Sequence, residues 1–399
     1  MVERAEFLDS LWKWKGRDLI KVVTGVRRCG KSTALEMFAD RLVASGVPAT
    51  SILKMNFEDE AFDSIRSVEE ARAWLDAHRP KGVRTYALLD EIQRIPEFER
   101  LVDVLHHRGD TDVYVTGSNA RMLSGDLATH LSGRYVELNL QPLSFAEFVH
   151  GAGRDPDSPA TWADFLRFGT FPYVLSLGRD PVLVDGYLEG LFNTILVRDV
   201  MQRTDIHDAQ RLGKVARHLF DNVGNLTSIG KIAATLTSAG TKTAFATVEA
   251  YVDALCASFL FRKAERYDVR GREILKSGGK FYAADMGLRG TVLGHRPGDT
   301  GRMLENIIYN ELLRRGGSVF VGKCGTLEID FFVRQGGETA YYQVAETLRG
   351  EGVIERELRP LRDIRDNYPK TVVTLDPMPP SSEDGIRCVN AVDFLLRRA

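Results

Sequence analysis

Long apolar runs are missing from this sequence, and so are other features that would assign it to a particular class of protein. No run approaches the ~18 residues that a bilayer-spanning helix needs, which argues against a membrane-spanning protein. The net charge is only −2, so any basic surface for nucleic acid or membrane must be local. Hydrophobic residues make up 44% of the chain and charged residues 27%, an ordinary globular composition.

Cysteine is also scarce, and histidine is scattered. The four cysteines are far apart and form no CxxC pair, which excludes a disulfide framework and a zinc site of the usual spacing. The eight histidines show no metal-ligand spacing either. The opening segment MVERAEFLDSLWKWKGRD is charged and amphipathic and lacks a signal-peptide core. We therefore expect a cytoplasmic protein with no membrane partner.

The first strong signal that is present is GVRRCGKST, which satisfies the phosphate-loop pattern G-x-x-x-x-G-K-[ST]. A short run rich in β-branched residues precedes it and predicts a buried strand; an amphipathic run with Leu35, Phe38 and Leu42 on one face follows it and predicts a helix. Such a loop points successive N–H groups at one anion, and the helix N-terminus adds a favourable dipole. The predicted ATP-binding residues are Gly25, Val26, Arg27, Arg28, Cys29, Gly30, Lys31, Ser32 and Thr33.

The same pattern assigns roles to single side chains. Lys31 is expected to reach the β- and γ-phosphates, and the Ser32 hydroxyl to bind Mg²⁺. Further along, the buried run TYALLDE ends in Asp90 and Glu91. In P-loop NTPases the acid at this strand's end holds Mg²⁺, and a following Glu can polarise the attacking water. We therefore assign Asp90 to the metal and Glu91 to the catalytic base.

Two further catalytic roles are predicted from residues beside later strands. Asn119 follows the strand DVYVT and is a candidate sensor for the water or the γ-phosphate, the alternative being a turn cap. Arg134 precedes another strand and is a candidate arginine finger, in competition with Arg121; a surface salt bridge is the alternative for both. Since strands alternate with helices, we expect a parallel sheet with helices on both faces and a ligand at the carboxyl ends of its strands.

At this point the sequence resembles a known family. GVRRCGKST, LLDEIQ, TGSNARML and SGRYVELNLQPLSFAEF, with FGTFPYVL, LFNTILVRDVMQR, KFYAADMGLR and ENIIYNELLRRG, are similar to the prokaryotic AAA-type ATPases that carry a C-terminal domain of unknown function. The resemblance covers nearly the whole chain. It implies an ATPase that works as a ring, expected to be hexameric, with the finger supplied by the next subunit.

Residues 217–278 predict a winged helix-turn-helix. Ser228 is a good N-cap for a short amphipathic helix, a turn with Gly240 follows, and a longer helix and two wing strands come next. From residue 211 to residue 280 there are 12 Lys and Arg against 6 Asp and Glu, a local excess of +6. Basic excess is typical of phosphate contacts, so we expect sequence-independent binding of duplex or branched DNA, with a purely structural winged helix as the alternative. The candidate DNA contacts are Lys231, Lys242, Thr243, Arg270 and Arg272.

Residues 279–399 predict a restriction-endonuclease-like α/β domain. Glu305 on a helix and Asp330 on a hairpin occupy the places of two metal-binding acids of that superfamily. The third place reads Gln343-Val344-Ala345, so an amide replaces the acid and Ala345 replaces the lysine. We therefore expect this domain to have lost nuclease catalysis.

The predicted order is a P-loop domain over residues 1–152, a helical lid or linker over 153–216, the winged helix over 217–278 and the nuclease-like domain over 279–399. The predicted activity is Mg²⁺-dependent ATP hydrolysis coupled to DNA translocation or junction remodelling. Two alternatives stay open. One is a nucleotide-gated signalling scaffold that binds a protein partner, and the other is a metal-dependent nuclease.

Overall fold

The structure is a computed structural model, and it describes residues 2–120, 133–296 and 298–398. The backbone packs as two units, one formed by Met1–Pro142 with Ala257–Phe259 and the other by Leu143–Cys256 with Leu260–Ala399. The first unit thus ends before the predicted boundary at residue 152. Among the helices in these ranges, none combines the length and the apolar character needed to cross a bilayer.

The first unit is built on a five-stranded sheet in the order β2-β3-β4-β1-β5, and every pairing in it is parallel. Its strands are β1 (Ile20–Thr24), β2 (Ile52–Asn56), β3 (Thr85–Asp90), β4 (Thr111–Gly117) and β5 (Tyr135–Asn139). Its α-helices are α1 (Ala5–Lys13), α2 (Lys31–Ala44), α3 (Val68–His78) and α4 (Phe98–His107). Short 3₁₀ turns lie at Ala49–Ser51, Glu60–Phe62 and Ile92–Arg94.

Burial explains why these short segments form strands. Every residue of β1, β3 and β4 is buried, as expected for parallel strands covered by helices on both faces. Helix α3 starts at a capping box, in which Ser67 and Glu70 each bond the other's backbone N–H. Because all five strands run the same way, their carboxyl ends meet at one edge of the sheet, where the phosphate loop lies.

The second unit begins with helices and ends in a mixed sheet. Its α-helices are α5 (Phe145–Ala152), α6 (Pro159–Phe168), α7 (Pro181–Thr194), α8 (Ala209–Asp221), α9 (Ile229–Ser238), α10 (Phe245–Ala257), α11 (Met286–Leu293), α12 (Thr300–Arg314), α13 (Val353–Arg362) and α14 (Ala391–Leu395). A 3₁₀ segment (Pro172–Leu177), a π-helix (Ile195–Val200) and a 3₁₀ turn (Met201–Arg203) flank α7. Its strands are β6 (Phe261–Asp268), β7 (Glu273–Ala283), β8 (Ser318–Cys324), β9 (Leu327–Gln335), β10 (Glu338–Ala345), β11 (Lys370–Thr374), β12 (Ser382–Glu383) and β13 (Ile386–Asn390).

These eight strands form one sheet in the order β12-β13-β11-β10-β9-β8-β6-β7. The antiparallel hairpin β6–β7 follows α9 and α10, where the wing was predicted, but β6 also pairs with β8. Strand β7 runs from Glu273 to Ala283, with a bulge between Leu275 and Gly279, and so crosses the predicted boundary between residues 278 and 279. The predicted wing and the predicted nuclease-like domain therefore share a sheet.

Two of the runs that carried the family resemblance, FGTFPYVL and KFYAADMGLR, pack against each other within the second unit. The backbone N–H and the hydroxyl of Thr170 donate to one carboxylate oxygen of Asp285, at 2.6 and 2.9 Å. A Cβ on Gly287 would lie 2.4 Å from the Phe168 backbone, so only glycine allows this approach. The two runs are therefore joined by hydrogen bonds and by close backbone packing.

Candidate functional site

The phosphate loop connects β1 to α2 with backbone angles that require glycine. Gly25 has φ +153°, and a Cβ there would lie 2.1 Å from the Leu140 carbonyl oxygen. Gly30 has φ +102° and precedes the first residue of α2. Arg28, also with positive φ at +66°, makes the remaining bend. The loop therefore curls tightly in front of a helix N-terminus, the geometry in which backbone N–H groups bind an anion.

Lys31 lies folded over this loop. Its ammonium donates to the carbonyls of Gly25 and Val26, at 3.0 and 3.3 Å, and lies 4.0 Å from the Glu91 carboxylate. Of the other predicted loop residues, Val26 and Cys29 are buried, Arg27, Gly30 and Thr33 are partly buried, and Arg28 and Ser32 are exposed.

The two acids predicted at the end of β3 lie beside the next strand of the sheet. The Thr116 hydroxyl on β4 donates to the Asp90 carboxylate and accepts the backbone N–H of Glu91 at 2.9 Å. Glu91 itself has a left-handed backbone with φ +52°, which is rare outside glycine and is found at functional sites. Thr116 was not predicted from the sequence, although it belongs to the predicted strand DVYVT.

The pKa values of Glu91 and of the nearby Glu58 are shifted in opposite directions. Burial raises the pKa of Glu91 above its usual range, and the Lys31 ammonium opposes that shift. Burial also disfavours the charged form of Glu58, but Arg27 at 3.6 Å and Arg94 at 3.1 Å outweigh it and hold the pKa of Glu58 below its usual value. A carboxylate with a raised pKa close to the phosphate loop is the group expected of a general base.

The donor set at this edge fits a magnesium nucleotide. Ser32 presents an exposed hydroxyl in the first turn of α2, and Asp90 is a carboxylate at the adjacent strand end. In the described ranges no group of three His, Cys, Asp or Glu side chains forms a metal cage. Mg²⁺ bound with ATP needs only one or two protein ligands, since phosphates and water supply the others.

The remaining predicted catalytic residues, Asn119 and Arg134, lie at opposite ends of the strands. Asn119 is buried two residues beyond β4, on the carboxyl side where the loop lies. Arg134 precedes β5, and its carbonyl accepts the N–H of Ile20 at the start of β1. It contacts His107 at 2.7 Å and Asp103 at 3.4 Å. Five-residue strands are roughly 16 Å long, so Arg134 is far from its own phosphate loop; Arg121 lies outside the described residues.

The candidate DNA contacts divide into exposed and buried residues. Lys231 on α9 and Lys242 before α10 are exposed. On the turn between β6 and β7, Arg272 is exposed and Arg270 forms an ion pair with Asp363 at 2.7 Å. The structure argues against Thr243 as a DNA contact, because this residue is buried and its hydroxyl donates to the Thr241 carbonyl.

Helix α10 is the second helix of the predicted helix-turn-helix, but its charge has the wrong sign for DNA. Its sequence FATVEAYVDALCA contains no Lys or Arg. The exposed side chains on one face are Phe245, Ala246, Glu249, Ala250 and Asp253. The basic excess of this region therefore lies outside the helix, on the turn of the hairpin and around α8 and α9.

Lys280 is a residue that the sequence analysis missed. Its ammonium lies on β7, 2.8 Å from the carboxylates of Glu305 and Glu328 and 3.5 Å from that of Asp330. Ala345 stands where the superfamily has its lysine, but the Lys280 amine reaches the same acids from β7. We call Lys280, Glu305, Glu328 and Asp330 the ion cluster.

The ion cluster contains three carboxylates and one amine, and its pKa values reflect that imbalance. Burial would lower the pKa of Lys280, but Glu305, Asp330 and Glu328 together raise it, so the amine is charged. Burial, and then the charge of Glu305, raise the pKa of Asp330 to about 7 against the effect of Lys280. The Gln343 amide oxygen accepts the N–H of Asp330 at 3.3 Å. A lysine therefore supplies the positive charge among these acids.

Comparison with known proteins gives two domain matches and two relatives with extensive coverage. Residues 17–149 match the family described as "AAA domain", and residues 160–299 match a domain of unknown function (DUF8612). An uncharacterised protein of Haemophilus influenzae is 38% identical over 401 residues, covering 100% of this chain and 99% of its own. An uncharacterised protein of Methanocaldococcus jannaschii is 28% identical over 379 residues, covering 89% of this chain and 82% of its own. Among solved structures, a Walker-type ATPase of Pyrococcus abyssi aligns with 73% of this chain and 96% of its own at 15% identity, with a TM-score of 0.48.

The fold and the phosphate loop define a P-loop ATPase of the AAA type, as the sequence predicted. Because the identity to the Haemophilus influenzae protein extends over the full length of both, the chain belongs to the same family of AAA-domain proteins. The winged-helix and nuclease-like assignments, and the residue roles, stay predictions.

Proposed function

We propose that the first unit hydrolyses Mg²⁺-ATP at the phosphate loop, with Glu91 as the general base. The observation that supports this best is the convergence of three predicted groups at one sheet edge: the loop, the Lys31 ammonium and a buried Glu91 4.0 Å from it. When ATP binds, Lys31 exchanges the Gly25 and Val26 carbonyls for phosphate oxygens. Its charge then stabilises the negative charge that develops on the transferred phosphoryl group.

The side chains around the loop have distinct roles in this proposal. Ser32 and Asp90 would hold Mg²⁺, which neutralises charge between the β- and γ-phosphates when bound. Thr116 orients Asp90 and the backbone of Glu91 through its two hydrogen bonds. Asn119 would bind the attacking water or the γ-phosphate. Arg134 lies at the amino ends of the strands, away from the phosphate loop of its own subunit. It would therefore act as a finger only on a neighbouring subunit, in a ring that we propose to be hexameric.

Substitution of two loop-site residues tests the hydrolytic assignment. Lys31→Ala should abolish ATP binding, because the triphosphate then lacks its principal cation. Glu91→Gln keeps the size and polarity of the side chain but cannot take a proton, so it should bind ATP normally and turn over at least about 100-fold more slowly. Both are measured by ATP binding and phosphate release with the full chain. Normal turnover by Glu91→Gln would show that another group is the base.

We further propose that hydrolysis drives movement on DNA, as a translocase or a remodeller of DNA junctions. The support is the local charge excess and the exposed arginines at the turn of the β6–β7 hairpin. Sequence-independent contacts to phosphates need only such positive charges, and they become weaker as salt increases. Helix α10 carries two acidic residues and no Lys or Arg. The proposed contact is therefore made by the hairpin turn to DNA phosphates, and not by α10 in the major groove.

DNA binding is tested with duplex, forked and four-way DNA, by fluorescence anisotropy at several salt concentrations and by stimulation of ATP hydrolysis. Arg272→Ala should weaken binding to all three and reduce the salt dependence by about one phosphate contact. Arg387→Ala is a matched control, because Arg387 is an exposed arginine on β13, toward the opposite edge of the same sheet. If no DNA binds or stimulates hydrolysis, the DNA proposal fails and the ATPase proposal stands.

A second candidate function is a nucleotide-gated switch that binds a protein. The observation that favours it is the face of α10 with exposed Phe245 and the acids Glu249 and Asp253. A face of this composition repels phosphates and suits a partner with basic and apolar side chains. This candidate predicts slow turnover that DNA does not change and a conformational change on ATP binding alone, measurable by hydrogen exchange.

A further inference from the structure

Arg4 is a buried arginine bonded to the phosphate loop, although it is far from the loop motif in sequence. Its side chain is only 4% exposed. One guanidinium nitrogen donates to the Cys29 carbonyl at 3.0 Å, and the other donates to the Gln141 carbonyl at 2.7 Å. These acceptors lie 25 and 137 residues away along the chain. Burying a guanidinium is costly unless its donors are used, and these two hydrogen bonds reduce that cost.

The first bond fixes the orientation of one peptide of the phosphate loop. The carbonyl of Cys29 and the N–H of Gly30 belong to the same planar peptide and point to opposite sides of it. When Arg4 holds the carbonyl on the buried side, the Gly30 N–H must point away from that side. Cys29 is buried and Gly30 is partly exposed, in agreement with this orientation. A phosphate-binding loop requires its N–H groups to be directed in this way before the anion arrives.

The second bond holds the segment against which the loop packs. Gln141 follows Leu140, whose carbonyl oxygen is in such close approach to Gly25 that no Cβ fits between them. Arg4 therefore joins the loop to the backbone on which the loop rests. A single guanidinium can do this because its nitrogens are held in a rigid plane, whereas a lysine ammonium is a single point on a flexible chain.

We infer that Arg4 is a positioning residue for triphosphate binding: it presets the Cys29–Gly30 peptide and keeps the loop seated against the Leu140–Gln141 backbone. The inference rests on the proposed function of the loop as the ATP site. It assigns a role in nucleotide affinity to the segment before α1, outside the phosphate-loop motif. Arg4 does not touch ATP in this scheme, and its effect is transmitted through the Gly30 N–H.

The test compares full-length variants for ATP and ADP affinity, measured by calorimetry with Mg²⁺ present. Arg4→Met removes both bonds and keeps the length of the side chain. Arg4→Lys keeps the charge but cannot reach both carbonyls. Leu8→Ala is the matched control, because Leu8 is buried one turn later in the same segment, so its loss weakens the packing of α1 without removing the guanidinium. Circular dichroism and the melting temperature without nucleotide show whether each variant is folded.

Arg4→Met is expected to weaken ATP and ADP binding by about tenfold or more, the usual effect of losing a hydrogen bond that involves a charged group. Arg4→Lys should lie between Arg4→Met and the wild type. Leu8→Ala should lower the melting temperature without changing affinity. Arg4→Ala leaves room for an added ion, so guanidinium, at concentrations well below those that denature, should restore part of the affinity of Arg4→Ala and none in Leu8→Ala.

Two results would overturn the inference while the ATP site stands: wild-type affinity in folded Arg4→Met, or equal losses in Arg4→Met and Leu8→Ala. If Arg4→Met does not fold, Arg4→Lys decides, and wild-type affinity there overturns the inference. Failure of the wild-type protein to bind ATP would overturn the proposed function, and this inference with it.

Discussion

Replacing Lys280 by Met should destabilise the second unit strongly, because it leaves three carboxylates without their cation. The ammonium is 3% exposed and lies within 3.5 Å of Glu305, Glu328 and Asp330. Removing one partner from a buried ion pair costs about 3–5 kcal/mol. Since Glu328 is 36% exposed, water screens part of its charge and the lower end of that range applies. We expect a loss of about 3 kcal/mol, roughly 100-fold in the opening equilibrium.

The pH dependence of this loss has a definite sign. The pKa of Asp330 is raised by folding from 3.8 to about 7. The folded state therefore holds a proton that the unfolded chain has released, and the stability from this group is lost as pH rises from about 4 to about 7. Without Lys280 the carboxylates repel one another more, and protonation relieves that repulsion. The cost of Lys280→Met should thus be larger at pH 8 than at pH 5.

The assay is hydrogen exchange of the full chain, followed by mass spectrometry of peptides from β7 and β9, because a chain of two units need not unfold in one step. Lys263→Met is the matched control, since Lys263 is an exposed lysine on the adjacent strand β6. Peptides from β3 and β4 in the first unit should exchange as in the wild type. Equal protection of β7 in Lys280→Met and Lys263→Met would refute the role of the amine as the counter-charge.

Three further predictions concern single substitutions. Thr116→Val removes the two hydrogen bonds at the end of β3 with little change in shape, so kcat should fall about tenfold with a smaller change in KM for ATP, measured by phosphate release. A raised KM with unchanged kcat would place Thr116 in binding instead. Gly25→Ala puts a Cβ 2.1 Å from a carbonyl oxygen and should abolish ATP binding, while hydrogen exchange in the second unit is unchanged. Gly287→Ala, 2.4 Å from the Phe168 backbone, should destabilise the second unit by about 1–3 kcal/mol in hydrogen exchange, whereas Gly186→Ala on α7, with open space around it, should stabilise by up to about 1 kcal/mol.

The P-loop fold was predictable because its signals are local. A strand, a glycine loop and a helix follow one another within residues 20–44, and the acids Asp90 and Glu91 end a second buried strand. Parallel strands bring such ends to one edge without further information. The AAA-type assignment was therefore confirmed from the residues that carried it.

Other parts of the site could not be predicted, because they depend on contacts between distant segments. Arg4 bonds two backbone carbonyls, and a carbonyl has no residue type that a motif could reveal. Lys280 reaches Asp330 from a strand 50 residues earlier, whereas the motif expects the lysine at Ala345. The charge count around α10 was correct, but a count does not place charges on faces. Thr243 was chosen from its position before that helix, but its side chain is buried and its hydroxyl donates to the Thr241 carbonyl.

The bulge in β7 has a mechanical consequence. Strand β7 begins beside the exposed hairpin turn and includes Lys280. The β6 partners of Glu273 and Lys280, Asp268 and Ala264, are four residues apart, so the two sites are about 13 Å apart along the sheet. Three residues of β7, between Leu275 and Gly279, lie outside the register with β6. A pull on the turn by a bound ligand would straighten these residues first, and the carboxylates around Lys280 would feel the load only after the bulge is drawn out.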